Sequence, residues 1–504
     1  MQKNKQLTAA FIALLSIIAT SCKKSFLEVV PKGDNIAITY DDYNKLMNGS
    51  NFYVLGGAGA GSWQPAAIMG DEVSAESYAF NSPDGGFEIA RSLFQWSDNV
   101  FPANNPPNDF NANNPQFLRN LLSNIYTLNK IANEVTNATE GTQQQKLELQ
   151  AEAMAERAFT NFQLINYFTK PYNAATASTD LGFPVIKIAD VTTKAFERGT
   201  VQQSYDFMIN DLTQSIPNLA LQPAIRTRIS KAAAEGLLGK IYLFMGKNSE
   251  ALTMFKNAFN DMAKMTTAPT LYNYNQTMAV GGSFLPSSDM YGPNSPFTNV
   301  TDITESLWAV MTYSGNENGS GYPADFLSIP TRTIALFDPS DWRLKFYSNL
   351  QTDLSTPIPG GRLRRYNLQW ARIGVELPDL YLLKAEAEAR TNDLAGAKAD
   401  IETLRKNRMP LAVASVPVAA TANQSSFIKF IIEERTREFT QEGARWFDMR
   451  RLANDPIYAG NPAPTHEVYQ DGSNATIYTL KPARLTLRLP PLYLSQNPGM
   501  PDNP

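Results

Sequence analysis

Three glutamates recur at every fourth residue in the stretch FIIEERTREFTQEGARWFDMRRL, which ends at Leu452: Glu434, Glu438 and Glu442. On a helix, positions i, i+4 and i+8 share one face. A pair of carboxylates is what acid–base hydrolysis of a glycoside requires. Arg435, Arg445 and Arg450 are interleaved with them at spacings that suit ion pairs. A hydrolase also sets its acid and its base on opposite sides of the sugar, not on successive turns of one helix. The stretch is therefore expected to form a structural ion network, and carboxylate-based glycoside hydrolysis is the competing reading.

Other chemistries are poorly supplied. His466 is the sole histidine, which excludes multi-histidine metal sites and leaves a histidine-based triad without support. The run GGAGAGSW, Gly56 to Trp63, lacks the Lys-Ser/Thr ending of a phosphate loop and reads as a connection. No catalytic residue, resident metal or cofactor is expected, and the sequence leaves a structural calcium ion open.

Cys22 is the only cysteine, and it follows a start that resembles an export signal. Lys3 and Lys5 precede an apolar run from Leu7 to Ile18, too short to cross a bilayer as a permanent helix. Ala19, Thr20 and Ser21 then lead straight into Cys22, as in a bacterial lipobox, so residues 1–21 are expected to be a leader and Cys22 the lipidated residue. Several acyl chains on one residue hold a soluble domain at a membrane. Without a second cysteine there is no internal disulfide, and stability must come from a packed core, for which 43% hydrophobic residues are ample. With 44 basic against 48 acidic side chains, the chain is mildly acidic, and nucleic acid is not an expected partner.

The elements that must position any site are helical. NPQFLRNLLSNIYTLNKIANEV sets Phe117, Leu121, Leu122, Ile125, Leu128, Ile131 and Ala132 at helical intervals, with Pro115 near its start. LELQAEAMAERAFTNFQLINYF repeats the pattern through Ala151, Ala155, Ala158, Phe162, Ile165 and Phe168. SKAAAEGLLGKIYLFMGKNSEALTMFKNAF places Leu238, Gly239, Tyr242, Gly246, Ala251, Phe255 and Ala258 like the signature of a tetratricopeptide helix pair. A weaker copy, with Ala385, Asn392, Ala397, Ile401 and Leu404, follows 146 positions on. A tandem solenoid would repeat at about 34 residues, so these helix pairs are dispersed and serve as a scaffold.

Together with SFLEVVP after the cysteine, the stretch ER..EF..EG.RW.D.RR and the terminal RLPPLYLSQNPGM, these features resemble the SusD/RagB family of nutrient-binding outer-membrane lipoproteins over essentially the whole chain. The resemblance implies an all-α fold of about four tetratricopeptide-like helix pairs. It implies one domain over residues 22–504, with loop-rich inserts at about 50–110 and 265–370. It also implies a non-catalytic, lipid-anchored protein on the outer membrane, facing the exterior. Such a protein captures oligo- or polysaccharide for a SusC-like TonB-dependent transporter. Peptide cargo is the variant that aromatic, Asn-rich loops serve equally well.

Sugar rings stack their C–H patches on aromatic faces, and their hydroxyls take planar polar partners. Aromatics in irregular segments are therefore the expected contacts: Trp63, Asp71, Tyr78 and Phe80 in the first insert, and Tyr291, Tyr313, Asn316, Asn318 and Tyr322 in the second. Trp342, Trp370 and Trp446 read as structural.

Overall fold

Capping residues start the helices where the sequence pattern turns periodic. In the computed structural model, which describes residues 37–55, 65–81, 88–101, 115–193, 195–285, 292–313, 326–351, 353–366 and 368–504, Thr39 caps α1 (Tyr40–Met47). Its hydroxyl accepts from the Asp42 amide while the Asp42 carboxylate accepts from the Thr39 amide. After α2 (Gln116–Glu134), the same reciprocal box opens α3 (Gln143–Phe168), through Thr142 and Gln145, and α4 (Val201–Ser215), through Thr200 and Gln203. From Ala151 to Phe168, α3 is buried at every position but Met154, so it runs through the core, with α2 and α4 packed against it.

The two tetratricopeptide-like copies fold as two helix pairs of matching construction. Helices α5 (Lys231–Phe244) and α6 (Asn248–Met262) pack on each other, as do α7 (Leu377–Arg390) and α8 (Leu394–Lys406), each pair joined by a three-residue turn. The matched turn positions Gly246 and Asn392 both take a left-handed backbone, with φ of 75° and 68°. Gly239 lets α5 lie against the Phe255 ring of α6, which a Cβ would approach to 2.7 Å. Phe255 itself is fully buried, a contribution of roughly 1.5–3 kcal/mol. Helices α9 (Gln424–Phe439) and α10 (Ala444–Leu452) complete the scaffold, with α9 packed on α7.

Helices dominate, and the expected inserts also contribute small sheets that the sequence pattern does not announce. One sheet has the order β1 (Val54–Leu55), β4 (Met311–Tyr313), β8 (Trp370–Arg372). A second has the order β11 (Ala475–Thr479), β10 (Thr465–Tyr469), β2 (Ser74–Glu76), β5 (Leu327–Ser328). Two further strand pairs are β3 (Ser306–Trp308) with β9 (Val375–Glu376), and β6 (Tyr347–Ser348) with β7 (Arg364–Arg365). Strands this short offer no alternation to read. Part of the second insert has its own core, in which Tyr274, Met278, Phe284 and Phe346 pack with Trp342 alongside.

The charged stretch of α9 and α10 is a buried ion network, as its composition suggests, but most partners of its glutamates come from elsewhere in the chain. Glu434 accepts from Arg343 at 2.7 Å, Arg405 at 2.6 Å and Arg437 at 2.9 Å. Glu438 accepts from Arg343 and Arg408, each at 2.9 Å, and Glu442 from Arg365 at 2.7 Å. Of the three arginines expected beside these glutamates, none binds them. Arg435 bridges Asp379 and Asp448, Arg445 holds Asp71, and Arg450 donates to the carbonyls of Ile165 and Thr169. Spacing along one helix identifies neighbours on that helix only, whereas this helix is buried and its carboxylates face other elements. Burial alone would raise the Glu434 carboxyl, but Arg437, Arg343 and Arg405 hold it far below the usual range.

His466 is buried in β10, its ring stacked between Phe94 at 4.2 Å and Trp96 at 3.9 Å. Its two ring nitrogens each lie 2.6 Å from a carbonyl oxygen, those of Phe94 and Gly70. The sole histidine is thus a core clamp.

Candidate functional site

The three-stranded sheet brings the two inserts together. Strands β1 and β4 are parallel, with Val54 beside Met311 and Leu55 beside Thr312. The chain therefore leaves both strands at the same end of the sheet: after Leu55, ahead of the segment that holds Trp63, and after Tyr313, ahead of the segment that holds Asn316, Asn318 and Tyr322. The Thr312 hydroxyl donates to the Leu55 carbonyl and ties the two exits together. The short helix Ser50–Tyr53 sets the approach to β1, because Asn51 bonds Asn124 of α2 at 2.6 Å.

Antiparallel β8 puts Trp370 opposite Tyr313, at that same end. Four residues earlier, Tyr366 stacks so closely on Gly292 that a Cβ there would overlap its ring. Gly292, at φ 64°, directly follows Tyr291 in the sequence, so the chain emerges from the segment that holds Tyr291 beside Tyr366. Arg372 of β8 fixes the following turn by donating to the carbonyls of Pro296, Asn299 and Asp302.

The far end of the segment after Tyr313 returns at Tyr78. Strand β5 pairs antiparallel with β2, with Ala75 opposite Leu327, so Phe326 meets the chain where it turns into the one-turn helix Ser77–Phe80. Phe80, Phe94 and Phe326 pack as a three-ring cluster at centroid distances of 5.1–5.7 Å and support that corner from below. Tyr78 stands above it, 44% exposed, an uncommon position for a large aromatic residue. Phe80, by contrast, is core.

The placements of the expected contacts follow from this. Tyr78 is an exposed aromatic at the insert face. Tyr313 supplies backbone to β4, and its side chain lies outside the described residues, as do Cys22, Trp63, Tyr291, Asn316, Asn318 and Tyr322. Asp71 sits at the opposite end of β2 from Tyr78, with its carboxylate gripped by Arg445 at 2.6 and 3.0 Å. Burial works to raise its pKa, but the Arg445 guanidinium outweighs that and keeps the carboxyl below its ordinary value. Trp446 is fully buried and Trp342 donates its indole N–H to Asn275, both structural roles. Trp370 of β8, read as structural, pairs opposite Tyr313, and Tyr366, which the sequence reading did not single out, packs on Gly292. The signal for both was the aromatic run YNLQW at the very end of the second insert.

Tyr78 offers an exposed aromatic face and Trp370 a half-buried one, and both ring types can stack on a sugar. Among the described residues no group of three His, Cys, Asp or Glu side chains could hold a metal, and no helix is long and apolar enough to cross a membrane.

Residues 69–243 match a family model described as starch-binding, associating with the outer membrane, and residues 376–499 match the model of the SusD family. A SusD-like protein of Bacteroides ovatus is 24% identical over 374 residues, which is 65% of this chain and 64% of that relative's length. A putative sugar-binding protein of Bacteroides vulgatus superposes with a TM-score of 0.64 at 19% identity, covering 94% of this chain and 99% of the other. A laminarin-binding SusD-like protein gives 0.58 at 16% identity, with 93% and 99% covered. At these identities the solved structures establish the shared fold.

Proposed function

Since the chain belongs to the SusD/RagB family, we propose that it is a non-catalytic capture protein for an oligo- or polysaccharide. It is anchored at the outer membrane through Cys22, faces the exterior and hands its cargo to a SusC-like TonB-dependent transporter. The observation that carries this reading is the insert face, where the exits after Leu55 and Tyr313 lie side by side, Trp370 sits across from Tyr313, and Tyr78 marks the return. Stacking surfaces and amide-rich segments bind sugar without breaking a bond. The arginine-locked state of Glu434, Glu438 and Glu442 weighs against a hydrolase, because a general acid or base needs access to substrate. The laminarin named for one structural neighbour makes β-glucans the first ligands to try.

The test is affinity electrophoresis of the chain from residue 23 onward against a polysaccharide panel, with reducing ends assayed in the same samples. Retardation by one glycan without new reducing ends, weakened about tenfold by Tyr78→Ala, is the expected result. New reducing ends would overturn the non-catalytic reading, and migration unchanged on every glycan would turn the search to peptide cargo.

A further inference from the structure

A second cavity opens at the other end of β2. It holds about 280 Å³ and lies between the turn at Asp71, the short helix Thr331–Ile334, α9, and the residues that follow α10. That volume is at the small end of the roughly 300–1,000 Å³ that ligand pockets span, so it suits a ligand of one ring rather than a polymer.

Its inner wall is already satisfied and therefore rigid. Both Asp71 oxygens are taken by Arg445, Arg332 donates to Glu467 and to the carbonyls of Asp71 and Thr465, and the hydroxyls of Thr333 and Thr436 bond backbone carbonyls. The outer lining groups face solvent and are free of protein hydrogen-bond partners among the described residues. Among the described residues, Lys429 meets only the Tyr458 ring, 5.8 Å away, and the exposed side chains of Glu433 and Asn461 hydrogen-bond to nothing. Behind them Glu72 is 1% exposed, and its Oε2 has no hydrogen-bond partner among the described residues. Burial and the neighbouring Asp71 push that carboxyl up to about 7, so near neutral pH it adds little charge behind the cavity.

We propose that this cavity is a second carbohydrate site, taking one pyranose unit. The Tyr458 ring forms its apolar wall, and Lys429, Asn461 and Glu433 are the partners of the sugar hydroxyls. Each hydroxyl is donor and acceptor at once, and the unsatisfied groups are a mixture of donors and acceptors without large net charge. That mixture suits a neutral sugar better than an anion. The inference rests on the carbohydrate reading above but concerns a different place: Tyr78 and this cavity flank opposite ends of one strand.

Saturation-transfer NMR on the chain from residue 23 onward, with glucose, galactose, mannose and xylose each at millimolar concentration, tests it, and glycine serves as a zwitterionic control. The expected result is transfer to at least one sugar, weakened about tenfold or more by Lys429→Met and by Asn461→Ala. Both substituted residues are at least partly solvent-exposed, so the variants should keep their thermal melts. Transfer that survives both substitutions overturns the assignment, as does displacement of the sugar by glycine. Silence on every sugar from a protein that still retains a polysaccharide overturns the second site and leaves the first intact; loss of both kinds of binding removes both.

Discussion

At the scale of single residues, Glu434 shows how much a buried charge depends on its partners. Its carboxylate is wholly buried and answers three guanidinium groups, so removing its charge strands cations that burial has stripped of water. Glu434→Gln is expected to cost about 3–5 kcal/mol of stability, measured by urea unfolding. Tyr78→Ala should do the opposite kind of thing, weakening glycan retention with stability nearly unchanged, because an exposed ring contributes little to the core. Glutamates at four-residue spacing were enough to point to an ion network. The identities of Arg343, Arg405, Arg408 and Arg365 were hidden, because they reach α9 from distant parts of the chain.

At the scale of elements, the helix pairs were the most legible part of the fold. Small residues at Gly239 and Ala251, and large ones at Leu238 and Phe255, specify a close crossing that little else would fit, and both repeats deliver it with equal turn lengths. Gly239→Ala should push a methyl group into the Phe255 ring and destabilise the chain by about 1–3 kcal/mol, again seen by urea unfolding. Little destabilisation would mean that the α5–α6 contact is looser than the 2.7 Å approach indicates. The strands were illegible for a physical reason: β1, β5, β6, β7 and β9 have two residues each, and their pairing is decided by partners far away in sequence. The convergence of the inserts depends on that pairing. Sequence could therefore nominate Tyr78 but could not say that Trp370 pairs opposite Tyr313.

At the scale of the whole molecule, buried carboxylates set opposing pH limits. Burial pushes the Glu376 carboxyl up to about 8, so the folded chain keeps a proton that the unfolded chain has already lost. Stability from this group therefore falls as pH rises from the ordinary value of 4.5 through about 8. Glu386 runs the other way. Burial opposes its ionisation, but Arg451 and Arg390 bring it down to about 2, and its contribution is lost as pH falls below 4.5 toward that value. Thermal melts across pH should show a maximum between these limits, and Glu376→Gln should flatten the alkaline side; an alkaline slope unchanged in that variant would assign it to other groups.

The clamp at His466 has a further use. With one imidazole in 504 residues, its ring protons give a histidine signal that no other side chain duplicates. One ring nitrogen faces the Gly70 carbonyl, next to the Asp71 cavity, and the ring stacks on Phe94, which supports the corner below Tyr78. Two aromatic neighbours at about 4 Å make its resonance sensitive to slight displacement on either side. The molecule thus carries a label-free gauge at the seam between its two faces, and a titration followed at that single peak would register which of them a ligand disturbs.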